Sequence, residues 1–114
     1  MKNKIEFPWP PKECSPNNCS HWSKKAKARQ KQKLDAHRIT KAAKPVVDRS
    51  GKNIPLEITF HPPSRRGDLD NMVASAKHII DGLSAAIFID DRNFYPLTII
   101  RGDVLKGGLV VIRF

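Results

Sequence analysis

The chain has 114 residues, 39% hydrophobic and 28% charged, which allows one domain with a modest core. Its 21 Lys and Arg against 11 Asp and Glu leave a net charge of +10, which excludes an acidic solvating chain and favours a polyanionic partner, because cations set against phosphates release condensed counterions. No apolar run approaches the ~18 residues of a membrane span, and "MKNKIEFPWPPKEC" lacks the apolar stretch of a signal peptide, so a cytoplasmic protein with no membrane partner is expected.

In chain order, residues 2 to 7 alternate as a short strand. "PWPP" stops it, since proline donates nothing to a ladder. "KECSPNNCS" reads as loop. Its Cys14 and Cys19 are expected as reduced loop thiols, because the C-x4-C spacing, even with His21 nearby, offers no obvious fourth zinc ligand. Ser20 or Ser23 is a candidate cap for a helix over about 23 to 44.

That helix, "SKKAKARQKQKLDAHRITKAAK", is dense in Lys and Arg, with Asp35 its only acid. So many like charges on neighbouring turns cost helix stability. Two readings stand: a solvated surface helix, or a helix that lies on phosphates through Lys24, Lys25, Lys27, Arg29, Lys31 and Lys33. Apolar positions are sparse: Ala28, Leu34, Ile39, Ala42 and Ala43.

Pro45 ends the helix, "VDRSGKN" turns, and a strand is expected from about Pro55 to His61. Leu69, Met72, Val73, Ala76, Ile80 and Leu83 then recur at helical steps and predict an amphipathic helix over about 69 to 84. Asp68 or Asp70 would cap it, and Gly82 weakens its end. Strands at about 94 to 101 and 109 to 114 close the chain. The order β-α-β-α-β-β predicts a single α+β domain over residues 1–114, with two helices packed on a mixed sheet.

Asp68, Asp70, Asp81, Asp90 and Asp91 fall within one third of the chain. Carboxylates gathered on a basic protein stay ionised comfortably around a hard divalent cation: Mg²⁺, with Mn²⁺ the alternative. Asp68 and Asp70 share a face in an extended helix entry. The plainer reading makes one of them an N-cap and the other surface charge. On a continuous helix Lys77 projects within about 20° of Asp70; the rival pairing is an i, i+4 bridge to Asp81. Arg65 and Arg66 precede the acids and suit phosphate contact.

"FPWPP", "NN", "DLDN", "DGL", "DD" and "KGG", in this order and at these distances, resemble the RusA-like Holliday junction resolvases over nearly the whole chain. The resemblance implies a homodimeric, Mg²⁺-dependent endodeoxyribonuclease that nicks a four-way DNA junction symmetrically, with no small-molecule cofactor. It implies catalytic Asp68, Asp70 and Asp91, with Asp90 adjoining as a metal ligand. The family lysine is expected where Ala74 stands, and its role passes to Lys77, four residues before Asp81. Arg66 would help Lys77 stabilise charge on the phosphate, and Asn71 would orient an aspartate or cap the helix. Trp9, Trp22 and Phe88 are candidate stacking groups at the junction centre, or core and interface residues. A non-catalytic nucleic-acid-binding module fits the charge equally well but gives the acids no task.

Overall fold

The computed structural model describes every residue except Lys52. Four strands, β1 (Lys4–Pro8), β2 (Leu56–His61), β3 (Leu97–Arg101) and β4 (Leu109–Arg113), form one mixed sheet in the order β1-β4-β2-β3. β4 runs antiparallel to both β1 and β2, and β3 is parallel to β2. Three helices, α1 (Trp22–Ala43), α2 (Leu69–Ser75) and α3 (Lys77–Ile87), complete the α+β domain. The expected order of elements holds, with one change: the second helix is two.

The strands follow their period-two pattern. Ile5 and Phe7 of β1, Leu56, Ile58 and Phe60 of β2, and Val110 and Ile112 of β4 point to one buried face. Met72, Ala76, Ile79, Leu83 and Ile87 close the core from α2 and α3. At about 25 cal/mol per Å² this shared apolar burial is the main stabilising term. Gly107 and Gly108, both at positive φ, turn the chain into β4, and the Trp9 ring lies against Gly108 where a Cβ would stand only 2.7 Å from it. Trp9 also meets Phe60 edge-on at 6.2 Å, so it is a core residue.

The start of α1 differs from expectation. His21 is the N-cap, and its Nδ1 accepts the Ser23 N–H, while Asn18 Oδ1 accepts the Ser20 N–H one turn earlier. The helix stops at Ala43, with Lys44 in the left-handed region just before Pro45. Its buried positions are Gln32, Ala36 and Thr40, and Leu34 is half exposed. The reason lies across the interface. A Cβ on Gly82 of α3 would meet the Ala36 Cβ at 2.7 Å and collide with the Lys33 carbonyl. The two backbones approach so closely that only small or flexible side chains fit, and Gly82 is a contact residue rather than a fraying end.

The break between α2 and α3 joins a local bond to a distant one. Ser75 Oγ donates back to the Asn71 carbonyl at 2.8 Å, a bond that bends helices. The Ser75 carbonyl accepts from Gln32 Nε2 at 3.0 Å, and the Ile79 N–H turns to the Ala76 carbonyl instead. Ala76 sits at φ −96°, ψ 7°.

Candidate functional site

Every residue of the "RRGDLDN" stretch except Leu69 and Asn71 is exposed, and the stretch wraps the exit end of β2. Gly67, at φ +98°, makes the bend. Arg101, the last residue of β3, fixes it: its guanidinium donates to the Arg65 and Gly67 carbonyls, each at 2.9 Å. Nothing in the sequence marked Arg101 for this task, since its partners are backbone atoms 34 and 36 residues away. Asp68 is the N-cap of α2 by position, but its side chain makes no capping bond. Asp70 lies exposed in the first turn, where the helix dipole favours its charge. A groove of about 210 Å³ runs beside this loop, lined by Trp9, Lys12, Arg66, Asp68, Asn71 and Ser75 among others.

A second groove, of about 160 Å³, holds the other half of the expected constellation. Lys77, Asp81 and Asp91 line it with Leu56, Ile80, Phe94 and Leu97. Lys77 opens α3 and is exposed; Asp81 pairs with His78 Nδ1 at 3.1 Å, so the expected alternative bridge from Lys77 to Asp81 is not formed. Asp91 opens a short 3-10 turn that Asp90 caps by accepting the Arg92 N–H, and Arg92 Nε also pairs with Asp90 at 3.4 Å.

The two grooves stand at opposite ends of β3. The Ile54 N–H donates to the Asn93 carbonyl and the Leu56 N–H to the Pro96 carbonyl, which places the Asp91 turn at the entry of the parallel pair. The "DLDN" loop is held at its exit by Arg101. At about 3.3 Å per residue the strand between them is itself roughly 13 Å long. Among the described residues, no three His, Cys, Asp or Glu side chains of one protomer stand together as a metal cage. Of the acids implied by the resemblance, Asp68 lines the first groove and Asp91 the second. The helix break also removes the continuous axis on which Asp70 and Lys77 were expected to align.

Among the described residues the acids divide into those with an ion-pair partner and those without, and Glu13, Asp48 and Asp103 fall with the second group. Asp35, Asp81, Asp90, Glu6 and Glu57 each have a basic partner. Asp68, Asp70 and Asp91 have none among the described residues, although the chain carries ten surplus cations. On α1, Lys31 and Arg38 pair with Asp35. Lys24, Lys27, Arg29 and Lys33 are exposed, and these four and the half-buried Lys25 have no acidic partner among the described residues. Trp22 and Phe88 are also exposed, at 74% and 80%, so neither serves the core of the protomer. Cys14 is buried and Cys19 exposed, both as free thiols, and burial pushes the Cys14 thiol above its ordinary value despite the lowering field of Arg29.

An uncharacterized protein of Xylella fastidiosa (strain Temecula1) is 36% identical over 115 aligned positions, covering 95% of this chain and 72% of that protein. The two chains belong to one family. The name of that relative assigns no activity, so the kinship fixes common descent and leaves the chemistry to the residues. No protein-family model matches the chain. Among the described residues no helix is long and apolar enough to cross a membrane.

Proposed function

We infer that this protein is a structure-specific endodeoxyribonuclease acting on branched DNA, with the four-way junction as the substrate that its motifs suggest. One observation carries the reading: in a strongly cationic chain the three motif carboxylates, Asp68, Asp70 and Asp91, are exposed and unpaired among the described residues. Acids left free on a phosphate-binding surface weaken binding by repulsion, and catalysis is a task that offsets that cost. The unpaired cations of α1 would hold the phosphate backbone, and the loop fixed by Arg101 would present Arg66 beside Asp68. Lys77, in the groove with Asp91, would stabilise charge that builds on a phosphate oxygen. Cutting is expected to need Mg²⁺ or Mn²⁺. The protein is expected to act as a homodimer, because paired nicks need two sites related by a two-fold axis.

The rival reading, a non-catalytic nucleic-acid-binding module, is favoured by the missing three-acid cage within one protomer. The test compares the unmutated protein with Asp70→Asn on a synthetic four-way junction, a linear duplex and a single strand in Mg²⁺. Paired nicks in the junction, lost in Asp70→Asn while junction binding persists, support the nuclease. Binding without any cut by the unmutated protein would establish the module instead.

A further inference from the structure

The groove beside the "RRGDLDN" loop is built from two segments far apart in the chain. Residues 9 to 15 supply Trp9, Lys12 and Ser15, and residues 63 to 75 supply Ser64, Arg66 and Asp68. Both segments are held in place from outside the groove. Trp9 is packed against Gly108 and Phe60. Pro10 and Pro11 follow it with fixed φ. A 3-10 turn over Lys12–Cys14 then closes through the Cys14 N–H to the Pro11 carbonyl at 2.9 Å and the Ser15 N–H to the Lys12 carbonyl at 3.1 Å. Burial of Cys14 pins that turn. On the second segment, Arg101 clamps the Arg65 and Gly67 carbonyls, and the Leu105 N–H holds the Pro62 carbonyl at 3.0 Å. Such a groove is organised before anything enters it, which lowers the entropic cost of binding.

Its polar lining is rich in free donors. Lys12 and Arg66 have no acidic partner among the described residues. Ser15 Oγ accepts the Asn17 N–H at 3.4 Å, and Ser64 Oγ accepts the Arg66 N–H at 3.3 Å. Neither hydroxyl donates to a protein group among the described residues, so each keeps its hydrogen for an outside acceptor. Two cations and two hydroxyls thus share the groove with one carboxylate, Asp68. The second groove has the opposite balance, with Lys77 against Asp81 and Asp91. Of the two, the first is suited to an anion.

We propose that this groove holds the reacting strand, with Lys12 as a positioning residue that grips one of its phosphates together with Arg66 and the Ser15 and Ser64 hydroxyls. The proposal rests on the nuclease reading above and states where its substrate lies. At about 210 Å³ the groove falls below the roughly 300–1,000 Å³ of a drug-sized ligand site and suits a short stretch of one sugar-phosphate backbone. A paired strand belongs to a stiff, convex cylinder, and its phosphates meet exposed cations such as those of α1. A strand released from its partner can bend into a recess, as strands do in the cationic grooves that track single-stranded DNA. The grip of Lys12 is therefore selective for DNA with an open strand, as at a branch point, whereas α1 serves all DNA alike.

The unmutated protein, Lys12→Gln and Lys12→Arg are titrated onto a dye-labelled four-way junction, a single strand and a linear duplex, without divalent cation so that nothing is cut. Loss of one charge-assisted bond is worth about tenfold, so Lys12→Gln is expected to bind the junction and the single strand about tenfold more weakly and the duplex within about twofold of the unmutated protein. Lys12→Arg keeps the charge and should restore most of the binding. An equal loss on all three DNAs would make Lys12 one more general cation, and no loss on any would empty the groove; either result overturns the proposal. Ser64→Ala gives a second reading, with the same selectivity at smaller size, and a uniform or absent effect there counts against the groove in the same way. In Mg²⁺, a hold that is equal before and during the reaction raises KM for the junction about tenfold in Lys12→Gln and leaves kcat within about twofold. A fall in kcat at constant KM would place Lys12 on the reacting phosphate itself and overturn the positioning role. If the unmutated protein cuts no DNA, the nuclease reading falls, and the groove is judged by the titrations alone.

Discussion

Gly82 shows how much a single hydrogen can decide. It occupies the point where α3 touches the backbone of α1, and a methyl there meets Ala36 and the Lys33 carbonyl. Gly82→Ala gains helix propensity of about 1 kcal/mol, but forcing apart a packed crossing costs about 1–3 kcal/mol and more when backbone atoms must move. The variant is expected to be less stable by about 2 kcal/mol in urea unfolding; an unchanged midpoint would contradict the close crossing. Phe88 poses the opposite case. It sits at φ 56° with an exposed ring, a left-handed conformation that costs a bulky residue of order 1 kcal/mol. Phe88→Gly is expected to leave the fold intact and raise the midpoint slightly, while weakening any stacking on DNA.

Cys14 supplies a pH dependence. Burial holds its folded-state value above the ordinary 9.0. The unfolded thiol therefore ionises first, so the contribution is constant below about pH 9 and stability falls as pH rises beyond it. The difference in stability between the unmutated protein and Cys14→Ala should accordingly shift across that window. Alkylation at about pH 8 should label Cys19 well before Cys14.

Among the elements, α1 carries the binding prediction. Its inner stripe of Gln32, Ala36 and Thr40 docks on α3, which leaves the lysines and Arg29 to solvent. Replacing Lys24, Lys27, Arg29 and Lys33 with Gln should weaken binding to every DNA tested by a similar factor. The slope of log K against log salt should become shallower by about 0.9 for each phosphate that the helix no longer neutralises. An unchanged slope would assign the helix to solvation alone. The loop after β2 depends on another element, because Arg101 reaches it from β3. Arg101→Gln should cost about 1–3 kcal/mol by removing two charge-assisted bonds, with cutting reduced more than binding.

At the scale of the whole molecule, α2 and α3 cover one face of the sheet, Thr59 and Val111 are buried on the other, and the unpaired cations of α1 remain on the surface. The kinship with the Xylella protein spans almost the whole chain, so common descent applies to the domain rather than to a fragment of it.

The strands and both helical regions were legible in the sequence because period-two alternation and i, i+3, i+4 spacing are local properties that prolines and glycines then punctuate. The identity of the exposed acids and the charge of α1 were legible for the same reason. Three features were not. Gln32 and Thr40 look like surface residues until α3 arrives: Gln32 Nε2 finds the Ser75 carbonyl, while Thr40 Oγ1 is buried with no hydrogen-bond partner among the described residues. The helix break at Ala76 needs the Gln32 side chain to take the Ser75 carbonyl, a contact across 43 residues. The distance between Asp91 and the "DLDN" loop depends on α2 and α3 running back along β3, which no spacing in the chain reveals. Residue chemistry and local periodicity were thus written in the order of amino acids, whereas the placement of the carboxylates was decided by packing, since packing alone joins segments far apart in the chain.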